Sequence, residues 1–143
     1  MVEELNKLLS DLNVFYRKLQ NYHWNIKGHD FFVVHEKLEE YYNCINEQID
    51  EVAEHILILG GQPLGRMKDY LQISTIQEAN NEKLTSDVIY KNVTADITIL
   101  LNLSKEIKKL AEEKTDYGTS SLIDEYISDY SKKLWMLTQM QEK

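Results

Sequence analysis

The sequence predicts an all-α fold: four long helices in a bundle, with one long crossover that carries a short helix. Three observations predict it. The chain of 143 residues holds only five Gly and one Pro, the residues that interrupt helices. Four stretches place apolar residues at three- and four-residue intervals, the spacing of one helix face. Breakers cluster at Gly28, at Gly60, Gly61 and Pro63, and at Gly118, and so mark where those stretches stop. The length suits a single domain, residues 1–143, with a sizeable core.

The first helix follows Leu5, Leu8, Leu9, Leu12, Phe15, Tyr16, Leu19, Tyr22 and Ile26; it is expected to reach Lys27 and stop at Gly28. The second follows Phe31, Val34, Leu38, Ile45, Ile49, Val52, Ile56 and Leu59 to the firm stop "GGQPLG". From Gly60 to about Leu84 the periodicity weakens, and "RMKDYL" is the stretch predicted to form a short helix, since long structureless connections are uncommon in compact domains. The third long helix follows Val88, Ile89, Val93, Ile97, Leu100, Leu103, Ile107 and Leu110. The fourth, with Thr119 as its expected N-cap, follows Leu122, Ile123, Tyr126, Ile127, Tyr130, Leu134 and Leu137. Short turns at Gly28 and Gly118 make two antiparallel hairpins, and the connection between them is long enough to cross the bundle from end to end.

The formal net charge of −8 and the lack of a Lys/Arg run at either end set a field that repels phosphate backbones and anionic lipid heads. Cys44 is the only cysteine, so no internal disulfide forms, and the acidic, amphipathic "MVEELNKLLSDLN" is unlike a secretory leader. No apolar run approaches the roughly 20 residues that span a bilayer. A cytoplasmic protein with no membrane partner is the expectation.

Three of the four histidines flank the first turn, and His23 and His35 lie at equal distances on either side of it. An antiparallel hairpin brings those two level. The second helix also carries a polar stripe of His35, Glu39, Asn46, Asp50 and Glu54 at an angle to its apolar face. An ordinary solvated face is the alternative for such a stripe. With Glu39 one turn beyond His35, however, the level histidines form a set of N and O donors that suits first-row metals such as iron. Asp50 and Glu54 make a carboxylate pair one turn apart, but at 1.5 Å per residue they stand about 22 to 28 Å from His35. The chain has no Glu-x-x-His, the element of a di-iron centre built inside one bundle. A second copy packed antiparallel about a two-fold axis could bring the His23, His35, Glu39 end of one subunit to the Asp50, Glu54 middle of the other.

The stretch "HWNIKGHDFFVVHEKLEEYYNCINEQIDEVAEHILILGGQPLG" resembles the signature of the Dps family of mini-ferritins: a His-Trp opening, a second His beyond the turn, and a closing Asp-x-x-Ala-Glu. "TDYGTSSLIDEYISDYSKKLWML" is similar to the family's last turn and helix, so the resemblance covers the whole chain. It implies a ferritin-like four-helix subunit, a hollow dodecameric shell, and a ferroxidase centre, di-iron or mononuclear, shared across the two-fold interface. His23 and His35 correspond to the imidazole ligands and Asp50 and Glu54 to the partner's carboxylates, while Glu39 stands where the family more often has Asp. Trp24 matches a Trp beside the iron site, with packing between the first two helices as its alternative role. His29 and His55 replace a more usual Pro and Arg; His29 has no assigned role, and His55 is expected to support the site or an interface rather than bind metal.

The resemblance further implies that hydrogen peroxide is the favoured oxidant, so that protection and iron storage are one act. Glu36 and Glu40 are candidates for nucleating the ferric core, and Asp116, Asp124 and Glu125 for lining the entry pore, where Ser121 replaces a frequent Asp. The ends "MVEELNK" and "MQEK" lack the basic tail by which some relatives bind DNA, so DNA binding is not expected. Two other readings stand against the ferroxidase: a shell that has kept only a binding role, and a protein that compacts the nucleoid.

Overall fold

The computed structural model describes residues 1–141; Glu142 and Lys143, the end of "MQEK", lie outside the described residues. Among the described residues there are five helices and no strand: α1 (Val2–Asn25), α2 (Phe31–Ile58), α3 (Met67–Ile73), α4 (Ser86–Glu113) and α5 (Tyr117–Gln141). α1 packs along α2, α4 along α5, and α1 also lies against α4 and the short α3. Ser86 Oγ donates to Asp30 Oδ2 at 2.5 Å, so α2 and α4 start at the same end of the bundle. At the opposite end His55, in the last turn of α2, meets Thr119 in the first turn of α5. The crossover therefore returns the chain over the full length of the bundle. This is the ferritin-like arrangement of two hairpins and one long connection.

The apolar stripes close on one core: Leu5, Leu8, Leu12 and Leu19 of α1, Leu38, Val52 and Ile56 of α2, Ile89, Val93 and Ile107 of α4, and Ile123 and Tyr130 of α5 are all buried. Val88, expected in the α4 stripe, is exposed, because the buried face of that turn runs through its neighbour Ile89 and on to Val93. The seam between α2 and α5 is polar instead. Tyr130 Oη donates to Gln48 Oε1 at 2.5 Å and Tyr126 Oη donates to Glu51 Oε1 at 3.1 Å. Burial pushes both phenols far above their ordinary range and keeps them donors.

Three expected boundaries are corrected. α1 stops at Asn25, not Lys27, because Ile26 turns extended and pairs with Leu84 of the crossover: Lys27 N donates to Leu84 O at 2.9 Å and Leu84 N to Asn25 O at 3.2 Å. Gly28 follows as the bend itself, with φ +126°, a value that residues with a Cβ rarely adopt. α5 begins at Tyr117, so Thr119 lies inside the helix and is not its N-cap. Asp116 does the capping, accepting Thr119 N at 3.1 Å through Oδ1. The turn before α5 is made at Thr115, φ 54°, rather than at Gly118.

The crossover is pinned by Asp11, which is 2% exposed on α1. Its carboxylate accepts Ser74 Oγ at 2.8 Å, Thr75 N at 2.7 Å and Ile76 N at 3.2 Å, at the exit of α3. Charge-assisted bonds of this kind are each worth roughly 1.5 to 3 kcal/mol, and removing the acceptor strands buried donors. Asp11→Ala is expected to lower stability by about 2 to 4 kcal/mol, measured as a fall in the urea midpoint at fixed protein concentration; an unchanged midpoint would mean that the crossover is held elsewhere.

Candidate metal centre

His23 and His35 face each other beside the α1–α2 turn, as their spacing predicts. Their rings stack with centroids 3.6 Å apart and planes 11° from parallel. His23 Nδ1 lies 2.6 Å from the carbonyl oxygen of His35, and His35 Nδ1 lies 2.7 Å from the carbonyl oxygen of His23. A carbonyl can only accept, so each Nδ1 carries a proton and donates it. In the neutral imidazoles both Nε2 lone pairs are then free, and the bonded carbonyls hold the tautomer, as the outer shell of a metal site does.

The early stop of α1 makes this clasp possible. In a longer helix the His23 carbonyl would accept Lys27 N–H; here that N–H goes to Leu84 O and the carbonyl is left for His35. Packing fixes the rings further: Phe31 stacks on His35 with centroids 4.8 Å apart, and Tyr42 meets His23 edge-on at 5.3 Å. His23 is buried, and Glu39 Oε1 is 3.8 Å from its Nε2. Tyr42 Oη donates to the same Glu39 oxygen at 3.3 Å. Tyr42 is a neighbour that spacing alone did not single out, although it sits one turn from Glu39. The expected cluster of three donors is not complete within the chain: among the described residues no group of three or more His, Cys, Asp or Glu side chains converges in a way that could hold a metal ion.

Asp50 and Glu54 lie on the exposed face of α2, and no ion pair compensates either among the described residues. Hydrogen bonding to Asp50, and then the Asp50 charge, raises the carboxyl of Glu54 above its ordinary range. Two carboxyl groups one turn apart on an exposed face, with no cation beside them, offer oxygens that a metal ion would satisfy. Imidazole Nε2 atoms and free carboxylates together match the donors that first-row divalent metals take.

The remaining candidates separate. Trp24 does not fill the α1–α2 interface; it is 55% exposed, with the Arg17 guanidinium 5.9 Å from its ring. Glu36 is exposed, and Glu40 pairs with Lys37 at 2.8 Å. Of the three pore candidates, Asp116 is occupied in capping α5, and its bond from Thr119 holds its carboxyl below the ordinary range. Asp124 is paired with Lys108 at 2.8 Å, which leaves Glu125 exposed on the helix. His29 is exposed on the turn. His55 Nε2 is 2.7 Å from Thr119 Oγ1, away from the other imidazoles.

A ferritin-like domain model matches residues 2–143. The chain is 39% identical over 137 residues to DNA protection during starvation protein 2 of Bacillus anthracis, covering 96% of this chain and 93% of that one. The chain belongs to the Dps family of ferritin-like proteins. The DNA protection during starvation protein of Porphyromonas gingivalis is 38% identical over 138 residues, 96% of this Dps chain and 86% of its own length. Antigen TpF1 from Treponema pallidum superposes with a TM-score of 0.98 at 36% identity, over 99% of this chain and 91% of that one. A Dps protein from Vibrio cholerae O1, described as a member of a broad superfamily of ferritin-like diiron-carboxylate proteins, does so at 0.95 and 36% identity, over 99% and 88%. No helix among the described residues is long and apolar enough to cross a membrane.

The raised Glu54 carboxyl fixes the sign of a pH effect in this Dps protein. Its proton persists to higher pH than that of an ordinary Glu, and a cation must displace it. Cobalt(II) affinity, followed by optical titration, is therefore expected to weaken as pH falls, starting above the ordinary Glu range. Glu54→Gln is expected to bind more weakly and to lose that part of the pH dependence; an unaltered profile would separate Glu54 from the metal.

Proposed function

We propose that this Dps protein oxidises iron(II) at a centre shared by two copies of the chain, with hydrogen peroxide as the preferred oxidant, and retains the iron(III) in a closed dodecameric shell. The observation that carries the reading is the reciprocal His23–His35 clasp. It presents two bare Nε2 donors with only Glu39 near them, which is half of a coordination sphere. Asp50 and Glu54 are the oxygens that a two-fold-related copy would bring. Exposed apolar side chains support assembly: Phe32 is 82%, Ile58 76% and Trp135 60% exposed, more than a lone chain of this size usually leaves to water.

Iron(II) is the substrate. The clasped imidazoles and the partner's carboxylates bind and orient it, and Glu39 offers a further oxygen on a side chain one methylene longer than Asp, which gives a second iron a looser seat. Peroxide takes one electron from each of two iron(II) ions and leaves as two hydroxides, so no hydroxyl radical is released. Trp24 lies one residue from His23 and is free to meet the partner across the seam. Glu36 and Glu40 are the candidates to seed the ferric core. Residues 1–143 act as one domain in the cytoplasm. A shell with a binding role alone would have no need of the tautomer-fixing clasp, and nucleoid compaction is opposed by the net charge of −8.

The test is anaerobic loading with iron(II) followed by hydrogen peroxide, with ferric absorbance followed by stopped flow. The His23→Ala, His35→Ala double variant is expected to oxidise iron at least about tenfold more slowly than wild type; equal rates would remove these residues from the site. Light scattering on the same samples reports whether the shell has formed.

A further inference from the structure

A third histidine is held as firmly as the two in the clasp, by a chain of bonds that the proposed oxidation does not use. Thr119, fully buried in the first turn of α5, has one hydroxyl proton, and it donates that proton to Asp116 Oδ2 at 2.6 Å. Thr119 N–H donates to Asp116 Oδ1 at 3.1 Å, so the carboxylate grips the residue at two points. The Thr119 oxygen is left only as an acceptor, and His55 Nε2, 2.7 Å away, must be the donor. His55 therefore has the opposite tautomer to His23 and His35: its Nε2 is occupied by Thr119, where theirs are bare. Its ring also fits a close wall, since a Cβ at Gly118 would lie 3.7 Å from His55 Cε1.

The place of this chain in the fold gives it a consequence. His55 is next in sequence to Glu54 and belongs to the last turn of α2, where the side chains of Leu57 and Ile58 are exposed. The buried Val52 and Ile56 seat one face of that turn in the core; on the face turned to α5, Glu51 meets Tyr126 one turn earlier and His55 makes the last side-chain tie before the helix ends. The bond from His55 to α5 is thus the tie nearest Glu54, and it holds the end of the helix in the direction that the Glu54 carboxylate takes.

We propose that His55 is a positioning residue for the Glu54 half of the metal centre, acting through Thr119 and the Asp116 cap. The inference rests on the proposed site, in which Glu54 binds the metal, and extends it to a residue that touches none. His55→Ala releases the last turn of α2, whereas His55→Gln keeps a donor able to reach Thr119 Oγ1. Thr119→Val removes the acceptor from the other side.

The experiment is cobalt(II) binding to the assembled full-length protein, read by optical titration, with light scattering and the thermal midpoint recorded for each variant. His55→Ala and Thr119→Val are each expected to weaken binding about tenfold while the particle stays the same size, and His55→Gln is expected to restore affinity to within about twofold of wild type. Wild-type affinity in His55→Ala, or a failure of His55→Gln to rescue, overturns the proposal. Glu54→Gln is the control for the site itself. If it binds cobalt(II) normally, the Glu54 assignment falls and the role of His55 falls with it. If it binds weakly while His55→Ala does not, only the role of His55 falls.

Discussion

The candidate centre depends on a single backbone pairing far from any metal donor in sequence. Leu84, at the end of the crossover, takes the N–H of Lys27 and so ends α1 two residues earlier than its apolar pattern would carry it. The His23 carbonyl loses its helical partner and accepts His35 Nδ1–H instead; the reverse bond forms, and the rings stack. Two backbone oxygens thereby choose the tautomer of two side chains. The crossover that makes the bundle topologically ferritin-like is thus also what leaves the Nε2 atoms of both histidines without a protein hydrogen-bond partner among the described residues. Asp11 belongs to the same device, since it fixes the exit of α3 from which the crossover runs on to Leu84.

The bundle divides its work between kinds of seam. Apolar packing joins α1 to α2 and α4 to α5 and supplies the non-directional burial that holds the fold. Between α2 and α5 the ties are directional: Gln48 with Tyr130, Glu51 with Tyr126, and His55 with Thr119. These side chains recur on the face of α2 turned to α5 and set its rotation, so the faces carrying His35, Glu39, Asp50 and Glu54 have fixed directions. For the proposed centre, in which this helix bears donors of two different half-sites, that constraint matters, because a small rotation would misdirect both.

Most of the architecture was legible in the sequence because helix periodicity and breaker placement are local signals. The four long helices and the facing of His23 with His35 follow from spacing, and the short crossover helix from the length of a connection that compact domains rarely leave without structure. What spacing could not carry was non-local. The end of α1 is decided by Leu84, and the cap of α5 by Asp116 in place of Thr119, because the positive φ at Thr115 moved the turn away from Gly118. The same shift gives Asp116, a pore candidate, the capping role. For Trp24 the packing alternative falls away, since its ring is 55% exposed, where a neighbouring chain can reach it. The clasp itself had no sequence signal beyond the two histidines, since its acceptors are backbone atoms. The role of His55 was visible only as a departure from the family's usual Arg.

Subunit complementation tests the shared centre most directly. A chain with His23→Ala and His35→Ala and a chain with Asp50→Ala and Glu54→Ala are each inactive alone on this account, but a two-fold pair of one with the other contains one intact centre and one doubly disrupted centre. Co-assembly from an equal mixture is predicted to restore rapid peroxide-driven iron(II) oxidation to about a quarter of the wild-type site number, the fraction expected from random pairing. Mixed shells as slow as either parent would contradict the account, because the donors would then have to meet within a single chain.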